Sequence, residues 1–290
     1  MKAMQIRPPA VSGLFYPADP TLLALNVDGM LEAQTVAAEH IAGRDLTTPP
    51  RAIIVPHAGY AYSGPTAAAA YARLRGYAFR TAVIVSPSHR EYFSGISVYD
   101  GDAYRTPLGL INVDVELRER LLMQFKGVIR QSQLGHRDEH AVEVHLPFIQ
   151  RINPEAKILP IVMGDQRGEY CTILGKALAR IADDDGVLLI ASSDLSHFHQ
   201  QEEAEELDKV VANHVREIQP AKLLDDIAAK RCEACGGGPI AAVLSACLQL
   251  GASNVSILHQ CTSGDISGET RRVVGYLSAA IAADTAGRRP

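Results

Sequence analysis

No apolar run in the 290-residue chain approaches the roughly 20 residues needed to cross a bilayer. The N-terminal stretch MKAMQIRPPAVSGLFYPADP also lacks the continuous apolar segment of a secretory signal. A cytoplasmic protein is expected, with no membrane partner. Basic runs are missing as well: nothing exceeds the pairs Arg271-Arg272 and Arg288-Arg289, and the formal net charge is -5, so nucleic acid is set aside. The five cysteines, at 171, 232, 235, 247 and 261, are an odd number in a chain large enough to fold without cross-links, which argues against a disulfide framework. There is no G-x-G-x-x-G after a strand, no G-x-x-x-x-G-K-[ST] and no G-x-S-x-G, which removes dinucleotide, P-loop and nucleophile-elbow chemistry from the first rank. Ser86, Ser88, Ser192 and Ser193 carry no mark of an activated nucleophile. Internal repeats and linker-like tracts are absent too, so one domain over 1–290 is expected, with a loose tail from about 284.

What the chain does have is 47% hydrophobic residues and 21% charged ones, ordinary for a globular protein with a sizeable core. Short β-branched runs occur at 51–55, 81–86, 157–163, 186–192 and 254–259. Helical patterns lie near 20–39, 65–75, 114–124, 140–152, 169–182, 200–217, 220–229 and 239–250, with Pro65 and Pro239 suited to first turns and Gly251 to a stop. This alternation predicts an α/β fold with a central, mostly parallel sheet flanked by helices. The stretch 95–114 reads as a hairpin or edge strands, which would make the sheet mixed.

Two of the strands break directly into histidine: RAIIVPHAGY presents His57, and TAVIVSPSH presents His89. A third, GVLLIASSDLSHF, is followed by Asp194 and His197. Ligands in open α/β sheets bind beyond the carboxyl ends of strands, so these residues are candidates for one site. Each alone also reads as a hydrogen-bonded loop residue, and Asp194 as a helix N-cap. In RCEACGGGPI, Cys235 precedes three glycines and a helix start, where the helix dipole favours a thiolate; metal ligand and nucleophile are both open. The Cys232-x-x-Cys235 spacing fits a redox pair or half a zinc site less well, because no second C-x-x-C exists.

The cluster HRDEHAVEVHLPF is not a metalloprotease helix, since His140 and His145 are five apart and would point about 140° away from each other. One helical face could carry Glu139, His140 and Glu143 as an acid and a base. A capped helix start with Asp138 and Glu139 in its first turn fits equally. His40, His199, His214 and His259 read as surface or core residues, and Cys171, Cys247 and Cys261 as small core residues.

In order along the chain, SGLFYP, PHAGYAYSG, SPSH, YRTPLG, DEHAVEVHLPF, LPIVMGD, SSDLSHF, CGGGPI and RRVVGYLSAA resemble the Memo family, whose bacterial and archaeal members are called AmmeMemoRadiSam system protein B. The resemblance implies a fold similar to the class III non-haem iron extradiol dioxygenases. It implies metal ligands at His57, His89 and Cys235, with Asp194 and His197 lining the same cleft and His140 on the family's EH. Gly237-Gly238 stand where eukaryotic members have a bulkier polar pair. Iron is the metal expected, and copper or zinc would also suit such ligands. The activity implied is a metal-dependent oxidoreductase working with a radical SAM protein and an AMMECR-type protein, on a peptide or protein substrate. The alternative is a non-catalytic metal-binding or peptide-binding adaptor. Extradiol ring cleavage ranks third, because Cys235 takes the place of the carboxylate.

Overall fold

Four parallel strands carry the fold. The computed structural model describes residues 3–39, 48–125, 127–183 and 186–283; the tail expected from 284, and His40, lie outside them. The elements run β1 (Ile6–Arg7), α1 (Pro20–Glu39), β2 (Pro50–Val55), α2 (Tyr60–Ala72), β3 (Thr81–Pro87), β4 (Ile96–Tyr99), β5 (Ala103–Thr106) and β6 (Gly109–Asn112). They continue with α3 (Val115–Gln124), β7 (Ile129–Ser132), α4 (Leu146–Ile152), β8 (Lys157–Met163), α5 (Gly168–Ile181), β9 (Val187–Ser192) and β10 (His197–His199). The last are α6 (Gln201–Arg216), α7 (Pro220–Ala228), α8 (Gly237–Gln249), β11 (Ala252–Thr262), α9 (Ser263–Ser267) and β12 (Val273–Ala283). The large sheet has the order β10-β12-β2-β9-β3-β8-β4-β7, with β11 paired to β12. Strands β2, β9, β3 and β8 run parallel, and β12 and β4 are antiparallel to their neighbours β2 and β8. The sheet is therefore mixed, flanked by helices, as an α/β protein.

Alternate residues of these strands feed two cores. Ala52, Ile54, Val83, Val85, Leu159 and Ile161 pack with Leu174, Leu178 and Val243 of α5 and α8, whereas Ile53, Val55, Ile84 and Ile190 pack with Leu23, Val27, Tyr71 and Phe148 of α1, α2 and α4. Burial on both faces explains why the strands read as continuous apolar runs and not as alternating ones.

The 95–114 stretch does form a hairpin, β5 with β6, but β4 joins the large sheet while β5 and β6 join β1 in a small one. Helix α2 begins at Tyr60, five residues before the expected Pro65, which sits inside it. Tertiary anchoring accounts for this: Tyr60 N donates to Phe15 O at 2.8 Å and Tyr60 Oη to Val144 O at 2.6 Å. The helix expected over 140–152 is instead an irregular stretch at 140–142, a 3-10 turn Glu143–His145 and the short α4. Glu139, His140 and Glu143 consequently share no helical face. Asp194 is no helix cap either, because β10 follows it.

Candidate metal centre

The three strands that end in candidate residues, β2, β9 and β3, are immediate neighbours in the sheet. Strand β9 lies between β2 and β3, so their C-terminal loops converge on one crevice. His57 follows β2, Asp194 follows β9 and His89 follows β3. Cys235 arrives from the turn that opens α8, held there by glycine: a Cβ on Gly236 would stand 2.2 Å from Ser192 O, so the backbone passes β9 only where no side chain intervenes.

One nitrogen of His57, one of His89 and the Cys235 sulfur all lie within 4.8 Å of one another. His57 Nε2 is 3.1 Å from Cys235 Sγ, and the His57 and His89 rings meet edge to face at 5.0 Å. His140 stacks on His89 at 4.7 Å and stands edge-on to His57 at 5.4 Å. His197 lines a cleft of about 270 Å³ beside Cys235, together with Lys230, Cys232 and Glu233. Cys232 itself is fully buried, whereas Cys235 is half-buried. Cys171 and Cys247 are core residues as expected; Cys261 is half-buried on β11, 3.2 Å from Thr66 Oγ1.

The rings of His57, His89 and His197 are each held at Nδ1. His89 Nδ1 is 2.8 Å from Glu139 Oε1, and the same buried carboxylate accepts the backbone N–H groups of His89, His140 and Ala141. His197 Nδ1 is 2.8 Å from Leu195 O, which can only accept, so His197 carries its proton on Nδ1. His57 Nδ1 is 2.7 Å from Ser192 Oγ. Asp194 ties two loops together: its Oδ1 accepts the N–H of His57 at 2.7 Å, while its own N–H points at Cys235 Sγ at 3.2 Å and its carbonyl accepts the Cys235 N–H.

Burial pushes the His57 imidazole well below the ordinary value, helped by the neighbouring His89, and pushes His140 down to about 4 despite the nearby Glu139. Burial also pushes Asp194 up, against the hydrogen bond from the His57 backbone. The Cys235 thiol is raised by burial and by the Asp194 carboxylate, so desolvation overrides the helix dipole that the sequence suggested would favour a thiolate. Glu139 is pushed up by burial, but the His89 ring and backbone outweigh that and hold it below the ordinary carboxylate range. At neutral pH the His57 and His140 imidazoles and the Cys235 thiol are thus in their neutral forms. Imidazole nitrogen and thiol sulfur are donors that suit a cation, which would displace the thiol proton.

A sequence profile described as Memo-like protein matches residues 7–280. The chain belongs to the Memo family. Among Memo family members, it is 37% identical over 276 residues to a MEMO1 family protein of Methanosarcina mazei, covering 94% of this chain and 98% of that one. A MEMO1 family protein of Methanocaldococcus jannaschii is 36% identical over 287 residues, covering 96% and 99%. The crystal structure of an uncharacterized Escherichia coli K12 protein is similar in fold alone, at TM-score 0.52 and 15% identity over 79% of this chain and 98% of that chain. No helix among the described residues of this Memo family protein is long and apolar enough to cross a membrane.

The buried histidines also set an acid limit. His57, His140, His259, His136 and His145 are all held below 6.5 by burial, the last two at about 3. The unfolded chain therefore protonates these groups first: their contribution is full above about pH 6.5 and is lost as pH falls toward the folded values, at about 1.4 kcal/mol per pH unit for each buried group and less for the partly exposed His259. Asp194 and Asp208, raised by burial, and His199, raised by its hydrogen bond to Glu233, act in the opposite sense, but they are three groups against five. The urea midpoint of the metal-free protein is expected to fall between pH 7 and pH 5. A flat or rising midpoint would contradict this balance.

Proposed function

We propose that the protein is a metal-dependent oxidoreductase-like member of the Memo family, with the metal held by His57, His89 and Cys235. The observation that carries this reading is the convergence of these three ligand atoms within 4.8 Å, with His57 and His89 each anchored at Nδ1. Two imidazoles and a thiolate form a borderline-soft set that suits iron(II), the metal we favour, and also copper or zinc. A redox metal supplies one-electron chemistry and Lewis acidity when bound. Of the surrounding groups, His140 is neutral at pH 7 and accepts a proton, His197 adds a further imidazole that lines the cleft, and Asp194 fixes the His57 and Cys235 loops. In the cytoplasm a radical SAM protein and an AMMECR-type protein are the proposed partners, and a peptide or protein the substrate.

The adaptor reading has its own support. Tyr62, Tyr92 and Phe198 are the exposed aromatic side chains among the described residues, and each follows one of the three strands that bear the cluster. Such side chains suit a peptide contact without turnover.

The test is metal content after anaerobic purification and reconstitution with iron(II), copper(I) or zinc, in wild type, His57→Ala and Cys235→Ala. Stoichiometric metal in the wild type and its loss in both variants is expected, followed by dioxygen uptake in the presence of a reductant. Equal metal in all three proteins would sink the ligand assignment, and metal without dioxygen uptake would favour the adaptor.

A further inference from the structure

The Ser192 hydroxyl touches three groups and owns one hydrogen. Its Oγ lies 2.7 Å from Ala141 O, 2.7 Å from His57 Nδ1 and 2.8 Å from His145 Nε2, with Ser192 fully buried at the end of β9. A carbonyl oxygen cannot donate, so the Ser192 hydrogen must lie toward Ala141. The hydroxyl then has only lone pairs to offer the two imidazoles, and both must donate to it. His57 carries its proton on Nδ1, and His145 carries its own on Nε2. The other His145 nitrogen agrees, since Nδ1 is buried without a hydrogen-bond partner among the described residues, as suits the atom left unprotonated.

We infer that Ser192 is a positioning residue that fixes the His57 tautomer, leaving the Nε2 lone pair directed at Cys235 Sγ and at a cation held there; its relevance to metal rests on the function proposed above. His89 and His197 need no such device, because a carboxylate and a carbonyl can only accept. A hydroxyl can donate or accept, and it is Ala141 and His145 that decide which. The hydrogens form one directed chain, His57 Nδ1–H toward Ser192 and Ser192 O–H toward the Ala141 carbonyl, while the Cys235 S–H has two acceptors, His57 Nε2 at 3.1 Å and the Asp194 carbonyl at 3.5 Å.

The experiment is nitrogen-15 NMR of histidine-labelled, metal-free protein, with His57 assigned by comparison with His57→Gln, alongside zinc affinity by chelator competition. In the wild type His57 is expected as the Nδ1–H tautomer and His145 as the Nε2–H tautomer. In Ser192→Ala the His57 signals should shift toward a mixture of tautomers, and zinc should bind about 10–100-fold more weakly. An Nε2–H signal for His57 in the wild type, or an unchanged tautomer and affinity in Ser192→Ala, overturns the inference. If Ser192→Ala does not fold, the wild-type spectrum decides alone. Failure of the wild type to bind zinc while His57 shows Nδ1–H would remove the metal reading and leave the proton order standing.

Discussion

Glu143→Ala is expected to cost about 3–5 kcal/mol of stability, because it strands a buried guanidinium. Arg7 and Glu143 form an ion pair whose side chains are 2% and 0% exposed. Glu143 also accepts the N–H groups of Ala10 and Val11, at 2.7 and 3.0 Å, and the Tyr16 hydroxyl. Arg7 donates in addition to the carbonyls of His136 and Glu139. The double replacement Arg7→Met with Glu143→Gln removes the cation as well and should be less destabilised than Glu143→Ala alone. Urea unfolding of the three proteins measures this, and a loss under about 1 kcal/mol for Glu143→Ala would show that water reaches the pair. Since Arg7 grips the backbone at Glu139, the same loss loosens the residue that aims His89.

Glu139→Gln should weaken metal binding by about 10–100-fold although it changes one atom. Four donors, the His89 ring and the N–H groups of His89, His140 and Ala141, meet the Glu139 carboxylate, and the His140 Nδ1 stands 3.3 Å from its Oε1. At Oε1 a glutamine NH₂ would face the His140 and Ala141 N–H groups and could be accepted only by an imidazole nitrogen, that of His140 or of a His89 ring that has given up its Nδ1 proton; at Oε2 it would oppose the His89 N–H. A His89 ring so switched would carry the proton on Nε2, where it blocks the lone pair a cation needs. Zinc titration against a competing chelator reads the effect. Affinity equal to wild type would mean that His89 is oriented by its stacking on His140 and not by the carboxylate.

The parallel centre of the sheet and the strand-end residues were legible because burial on both faces writes β-branched runs, and because His57, His89 and Asp194 stand directly after them. Strand β12 was not, since its VVGYLSAAIAA is alanine-rich and buried throughout most of its length, which removes both β-propensity and alternation. The irregular 140–142 stretch was hidden by the helical spacing of its polar residues, which are instead drawn apart by long-range partners: Glu139 to His89, and Glu143 to Arg7. Those partners are 50 and 136 positions away, and no local pattern marks them. Ser192 was visible only as one of several nearby serines. Its meaning depends on a carbonyl from Ala141 and a ring from His145, neither of which periodicity brings to β9.

The place of β12 makes closure of the sheet beside β2 wait for the synthesis of residues 273–283. The last strand described lies in the sheet's interior, between β2 on one side and β10 and β11 on the other. Until residues 273–283 have left the ribosome, the edge of β2 has no antiparallel partner, and β11 has none at all. A nascent chain long enough to contain His57, His89 and Cys235 still exposes an unpaired, strongly apolar β2 edge, the kind of edge that recruits strands from other chains. Ribosome stalling or truncation shortly before residue 273 would therefore be expected to yield aggregates, even though every candidate metal ligand had already been made.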